Sequence, residues 1–305
     1  SGTAGRVTGS QVAGPLAATG HAKAVKIDVT TADSSVASGD IMSLRTSVEA
    51  QNLQQLQWGV ATAKSVTVSF WMKSPKSGTH CVSIYQEDDG RFFIKEFTIA
   101  SADTYEYFAI TFPGDTGGVI DTNNGAGIRI DWPLICGSGE AGSADAWTSG
   151  GKFATSNQQN LLDNTSNNVE LAGVQLELGT VATDFEHEPF SVTLAKCQRY
   201  YQQWNITTAF GYIAVGLNAG STTTRATLPT RQTMRAAPTL SVSAVGDFQT
   251  QDATGSADTS NVTLYSSYPE VVTIEATVAT QPISNAAMFG ADNSTVRFLA
   301  LSAEM

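Results

Sequence analysis

Between residues 24 and 178 the chain alternates apolar and polar residues in one short run after another, with no helical period between the runs. The runs fall at 24–30, 47–58, 65–73, 80–87, 91–100, 105–112, 127–134 and 169–178. Successive side chains of a strand point to opposite faces, so period two over such lengths predicts half-buried strands. Eight short strands spaced by turns must cover one face against another sheet, which makes a β-sandwich or jelly roll the expected architecture. The clearest turn is in IYQEDDGRFFIKEF, where Asp89-Gly90 supplies the positive φ angles of a tight two-residue hairpin. With 15% charged residues and abundant Gly, Ala, Ser and Thr, the composition is that of a turn-rich all-β chain, and 305 residues suffice for two cores.

The alternation also sorts the side chains. Val66, Val68, Phe70 and Met72 share one face of their strand, and Thr67, Ser69, Trp71 and Lys73 the other. Val82 and Ile84 point in, Ser83 and Tyr85 out. Phe108, Ile110 and Phe112 oppose Tyr105 and Tyr107, and Ile128, Ile130 and Trp132 oppose Arg129 and Asp131. The side away from the core thus collects Trp71, Tyr85, Tyr105, Tyr107, Arg129 and Asp131. Aromatic rings stack on the apolar C–H face of a pyranose, and neighbouring polar groups bond its hydroxyls, so these six form a candidate glycan-binding set. The same rings would equally serve as a subunit interface. Residues 137–164, a Gly, Ser, Ala and Asn-rich stretch, are a second candidate for ligand contact, with Trp147 and Phe153 placed to anchor it.

After residue 178 the pattern changes. Gly179 and Thr180 break the strand, and Pro189 and Ser191 announce a short helix over about 191–203, with Ser191 as cap and Leu194, Cys197 and Tyr201 as its apolar stripe. Strand-like runs resume at 210–216, 224–228, 239–245, 262–265, 271–280, 286–289 and 296–301, and Pro229 and Pro238 bracket a loop. The expected division is an extended N-terminal arm over 1–20, a jelly-roll domain over 21–188, a helical junction over 189–204 and a second, sandwich-like β domain over 205–305.

The junction carries a resemblance. Gln175, Leu176, Glu177, Gly179, Ala182, Thr183, Phe185, Glu186, Pro189, Phe190, Cys197, Gln198, Arg199, Tyr200 and Tyr201 stand in an order and spacing that resembles a junction of bacteriophage tail-fibre and other virion surface proteins, where it closes a jelly roll of the carbohydrate-binding-module type. Met234, Arg235, Ala236, Ala237 and Pro238 resemble the start of the C-terminal domain in the same proteins. The resemblance implies a virion surface protein assembled in the host cytoplasm, a homotrimer, contact with other virion proteins through the N-terminal arm, and adhesion to host-surface glycan. It implies a structural role for Arg199 between domains. A capsid decoration or tail and baseplate scaffold protein, or a non-catalytic module of a polysaccharide-degrading protein, are the alternative readings.

A formal net charge of -11 with no basic patch argues against nucleic acid as partner. There is no transmembrane run and no signal peptide, so no membrane insertion is expected. The chain begins Ser-Gly-Thr, as a processed or partial chain would. Cys81, Cys136 and Cys197 lack metal spacing and read as buried free thiols. His21, His80 and His187 are unpaired by spacing, GxSxG and HExxH are absent, and Glu87-Asp88-Asp89 reads as a polar hairpin tip, so no catalytic residues are expected. No cofactor is expected either, although related jelly rolls hold structural calcium and Asp28, Asp33, Asp40 and Asp184 are the residues available for it.

Overall fold

The computed structural model describes residues 4–293 and 297–305. It is all-β, in two compact units, 1–186 and 187–305. In the first unit the strands are β1 (Arg6–Ala13), β2 (Lys23–Thr31), β3 (Ile41–Glu49), β4 (Val66–Lys73), β5 (Gly78–Gln86), β6 (Arg91–Ile99), β7 (Glu106–Phe112), β8 (Ala126–Cys136), β9 (Thr148–Ser149) and β10 (Asn168–Leu178), with a four-residue helix, α1 (Leu16–Thr19), after β1. They form two five-stranded sheets in the orders β1-β2-β10-β4-β7 and β3-β8-β5-β6-β9.

The inward faces are those that the alternation predicts. Val68 and Phe70 from the first sheet share one core with Ile84, Ile128, Ile130 and Trp132 from the second. Phe70 sits at its centre, with ring centroids 5.4 Å from Phe97 and 5.5 Å from both Phe108 and Trp132. A smaller cluster of Cys81, Phe92, Ile94 and Ala154 lies on the other face of the second sheet. The 137–164 stretch folds over that face, held by Gln158, which accepts from the Cys81 N–H at 2.7 Å and donates to the Pro133 carbonyl at 2.9 Å. Trp147 is an anchor as expected, edge-on to Trp58 at 5.0 Å with its indole N–H on the Pro113 carbonyl.

Three expectations need correction here. Residues 6–13, read as part of an arm, are an edge strand paired with β2 along its whole length; residues 1–3 of the arm lie outside the described residues. The strand expected at 47–58 is β3, ending at Glu49, and one-turn helical segments follow at Ala50–Asn52 and Gln54–Leu56, because Ala50, Leu53 and Leu56 return at spacing three and are all buried. Gln86 pairs with Arg91, so the hairpin has a four-residue loop with Gly90 at φ 62°. Its carboxylates are engaged: Asp89 accepts from the Val119 N–H and Asp88 from that of Asp121, docking the 113–125 loop.

The 179–186 tail folds back along β10. Glu177 accepts from the Thr183 hydroxyl at 2.5 Å, which with Gln175 holds its carboxyl below the ordinary range, and the Gln175 side chain accepts from the Glu186 N–H at 2.8 Å. Phe185 meets the His21 ring edge-on at 4.6 Å. Gly173, at φ 57°, lies where a Cβ would come 2.3 Å from that imidazole.

The second unit opens with α2 (Phe190–Gln198), shorter than expected. Pro189, not Ser191, occupies the cap position, and Tyr201 already belongs to a strand. No residue of α2 is buried, so the stripe of Leu194 and Cys197 faces solvent. The strands are β11 (Tyr201–Ile206), β12 (Tyr212–Gly220), β13 (Thr223–Pro229), β14 (Thr239–Val242), β15 (Phe248–Asp252), β16 (Gly255–Ser267), β17 (Val271–Val278), β18 (Ala286–Ala291) and β19 (Arg297–Ser302); Val296 of the expected last strand lies outside the described residues. Six of them close into a barrel, β12-β13-β17-β16-β15-β18, and β11-β19-β14 form a small sheet whose Leu299 and Leu301 share the barrel's core. Closure removes free strand edges and leaves a narrow interior, which Phe248 and Phe289, stacked at 5.3 Å, fill among Ala214, Ala226, Ala276 and Ala291.

The two segments singled out by resemblance meet in this unit. The Arg235 N–H donates to the Arg199 carbonyl at 2.7 Å, and Gln202 bonds the backbone of both Arg231 and Gln232. Arg231 stacks on Trp204, at 4.6 Å.

The three thiols are free but not alike. Cys81 is buried, Cys136 half-buried and Cys197 exposed, against the expectation of burial for all three. Burial pushes the Cys81 thiol up and that of Cys136 up to about 11. One thiol per native chain is therefore expected to react quickly with an aromatic disulfide at pH 8, and all three only after denaturation. Rapid native labelling of two or more would contradict this placement.

Candidate functional site

The six candidate residues divide between the two outer faces of the first unit. Trp71, Tyr105 and Tyr107 belong to the β4 and β7 side of the first sheet, and Tyr85, Arg129 and Asp131 to β5 and β8 of the second. Both sheets turn their other faces to the common core, so the two groups do not converge on one ligand.

On the first sheet, Trp71 and Tyr107 are directly opposite each other in register, with ring centroids 5.2 Å apart and planes at 45°. Tyr107 is 45% exposed and Trp71 partly so. The position facing Trp71 on its other side, Ala172 of β10, has no bulk to cover the indole. Neither the Trp71 indole N–H nor the Tyr107 hydroxyl has a hydrogen-bond partner among the described residues. One step along the strands lies a charged cluster. Lys73 pairs with Glu170 at 2.9 Å, and Lys26, opposite Glu170 on β2, pairs with Asp28 at 2.8 Å. Tyr105, just before β7, donates its phenol to Glu170 at 2.6 Å; burial and then that bond push its ionisation up, so it stays a donor. The face therefore combines an exposed aromatic pair, whose polar tips are unengaged, with fixed donors and acceptors beside it.

The second group is organised around Asp131, which is fully buried and accepts from the Ser43 hydroxyl at 2.6 Å, from Arg45 at 2.7 Å and from Arg129 at 3.2 Å. Arg129 also pairs with Glu87 and lies under the Tyr85 ring at 4.6 Å. Phe153 reaches in from the covering stretch, 5.9 Å from both guanidinium groups. A buried carboxylate holding two cations and a hydroxyl is internally satisfied, and its physical effect is to fasten β3, β8 and β5 under the 137–155 segment. Sequence reasoning missed Arg45 and Ser43 because it started β3 too late; the signal was present in the outward positions of SLRTS. Lys73 was legible as outward-facing, whereas Glu170 needed the pairing of β10 with β4.

His80, Asp33 and Asp40 are engaged within the fold. His80 is buried with Nε2 against the Lys76 carbonyl at 3.0 Å, and desolvation first of all lowers its pKa. Asp33 accepts from the N–H groups of Ala4 and Ser35, and Asp40 from that of Ala37. Among the described residues no three His, Cys, Asp or Glu side chains gather as a metal ion would require, so Asp28, Asp33, Asp40 and Asp184 are not brought together.

No protein-family model matches this chain, and no curated protein does. Among solved structures, it is similar to a protein from Bacteroides thetaiotaomicron VPI-5482 described as sugar binding (14% identity, 56% of this chain and 82% of that one, TM-score 0.28). It is also similar to wild-type discoidin II from Dictyostelium discoideum (8% identity, 92% and 76%, TM-score 0.20) and to Cucumber Necrosis Virus (13% identity, 100% and 91%, TM-score 0.17). Likenesses of this degree say nothing about ligand or assembly.

Proposed function

We propose that this chain is a non-catalytic virion surface protein of the tail-fibre type that binds host-surface glycan through the Trp71–Tyr107 face. The observation that carries the reading is the exposed aromatic pair with its indole N–H and phenol hydroxyl unengaged, beside the Lys73–Glu170–Tyr105 cluster. A pyranose stacks on such rings and finds hydroxyl partners at their edges. The face is open and shallow, so each site is weak and several copies on one particle supply avidity. The virion assignment rests on the junction resemblance. Of the six residues, Trp71 and Tyr107 are the contact pair, Tyr105 positions Glu170, and Tyr85, Arg129 and Asp131 maintain the sandwich.

Assembly into a homotrimer is part of the proposal. Its support is α2: nine residues, none buried, with Phe190 79% exposed and Val192 and Leu194 also open. A helix this short is marginal in water unless its apolar side is covered, and packing against copies of itself would cover it. The second reading, a structural decoration or scaffold protein, is favoured by exposed apolar residues on the barrel's outer wall, where Val215 and Met288 pair in register next to Leu217.

The test is binding of the full chain to host cells and to a glycan array. Saturable binding that free oligosaccharide competes away is expected. Binding to neither surface would remove the adhesion reading and leave the scaffold one.

A further inference from the structure

The interior of the C-terminal barrel is not uniform. Around its middle, Ala226, Ile274, Phe248 and Phe289 form an apolar core. Two residue pairs further along β12 and β13, the inward positions become Asn218 and Thr224, both buried. On β15 the inward face runs from Phe248 through Thr250 to Asp252, at the turn into β16. Here the barrel opens into a recess of about 210 Å³, lined by Thr250, Asp252, Thr254, Ser256, Thr280 and Gln281 among others. This polar mouth played no part in the sequence reading, because the 248–252 segment was not recognised as a strand.

The recess is walled by a hydrogen-bond network. Asp252 accepts from Asn218 at 2.7 Å and Asn285 at 3.3 Å on one oxygen, and from the Thr254 N–H at 2.7 Å and hydroxyl at 2.6 Å on the other. Asn218 in turn donates to the Pro282 carbonyl and accepts from Thr224, which Gln281 also contacts. The Thr254 and asparagine bonds hold the Asp252 carboxyl down to about 2, so it is ionised throughout the working range. No Lys or Arg pairs with it among the described residues. Against this ordered wall stand three hydroxyls without a hydrogen-bond partner among the described residues, those of Thr250, Ser256 and Thr280. Thr250 as a residue is only 3% exposed, while its hydroxyl keeps contact with solvent on the side of the recess.

We propose that this mouth is a second ligand site, for a single uncharged hexose ring. Barrel mouths with a few convergent polar groups are favoured ligand sites, and the volume, below the ~300–1,000 Å³ of drug-sized pockets, admits one small ring. The three free hydroxyls both donate and accept, matching the hydroxyls of a sugar. The unpaired Asp252 charge disfavours acidic sugars. Ala257 and Pro282, also in the lining, offer small apolar contacts to the ring carbons. The site shares no residue with the Trp71–Tyr107 face and is independent of the reading given to that face.

The test uses the full chain and saturation-transfer NMR titrations with D-glucose, D-galactose, D-mannose, N-acetyl-D-glucosamine and D-glucuronate. At least one neutral sugar is expected to bind. Its affinity should fall about five- to tenfold in Thr250→Val and in Thr280→Ala, as the loss of one hydrogen bond implies, and should be unchanged in Trp71→Ala. D-Glucuronate should bind at least about tenfold more weakly than the best neutral sugar. Thr280 is exposed, so its variant carries the test if Thr250→Val fails to keep the wild-type melting temperature. Absence of binding by every neutral sugar overturns the proposal. So does binding that both folded variants retain, binding that Trp71→Ala abolishes, or a preference for D-glucuronate. Loss of glycan-array binding in Trp71→Ala with hexose binding intact separates the two sites.

Discussion

Replacing Asp131 by alanine will lower the thermal stability of the first unit by about 3 kcal/mol, which for a unit of this size is a melting shift of roughly 10 °C. The carboxylate is fully buried and is the common acceptor for Ser43, Arg45 and Arg129. Its removal leaves the Arg129 guanidinium, itself largely enclosed beneath Tyr85, facing a hole on one side with Glu87 as its remaining carboxylate partner. Breaking a buried pair from one side costs more than the pair contributes, because the remaining charge is desolvated without compensation. Arg45 is 41% exposed at its side chain and turns to water instead, and Arg129 keeps its pair with Glu87, which together hold the loss near the lower end of that range. Ser43→Ala, which removes one neutral donor, should cost only about 1 kcal/mol. Calorimetry of the three proteins decides: a shift below about 2 °C for Asp131→Ala would mean that this network does not hold the sheet.

Gly216→Ala is the other large effect, and it falls in the second unit. Gly216 lies in β12 opposite Ala226 on one side and Ala287 on the other, within the closed wall of the barrel. A Cβ there would stand 1.8 Å from the Arg225 carbonyl oxygen and 2.6 Å from the Ala226 Cα. Those are backbone atoms of a paired strand, so no side chain can rotate away and the β12–β13 seam must separate. Overpacking in a core costs about 1–3 kcal/mol when neighbours can shift, and a main-chain clash exceeds that, so a melting shift of roughly 10 °C or more is expected. Gly246→Ala is the control, since nothing lies within 4 Å of the added methyl. Equal stability of the two variants would refute the close approach.

Period two was enough to read the inward faces of the first unit's central strands. Val66, Val68, Phe70 and Met72 face the core from β4 and Trp71 is partly exposed on the other side, although the outward Thr67 and Ser69 are buried as well. The same argument failed at Ser83, an outward position that is buried, because a sheet face can be covered by a distant segment that leaves no periodic trace. It failed again where a pattern of three, Ala50, Leu53 and Leu56, ran on from a strand. Which sheet a strand joins is a question of long-range pairing. That is why Trp71 and Tyr107 proved to be neighbours, whereas Tyr85 and Arg129 sit together on the other sheet. The string from Gln175 to Tyr201 marked a structural seam, and its residues do structural work: Glu177 and Gln175 pin the returning tail, and Arg199, with Gln202 just beyond the string, holds the 231–235 loop. Barrel closure was not legible, since β11 and β15 lack strong alternation and closure depends on β12 meeting β18.

The central claim is that Trp71 and Tyr107 form a glycan-contacting pair. Its most direct measurement is glycan-array and host-cell binding by the wild-type chain beside Trp71→Ala and Tyr107→Ala, each checked for an unchanged melting temperature. Loss of one stacking ring should weaken binding by roughly 1–2 kcal/mol per site, about five- to thirtyfold, and by more on a multivalent surface. Wild-type binding that both folded variants retain in full would contradict the claim.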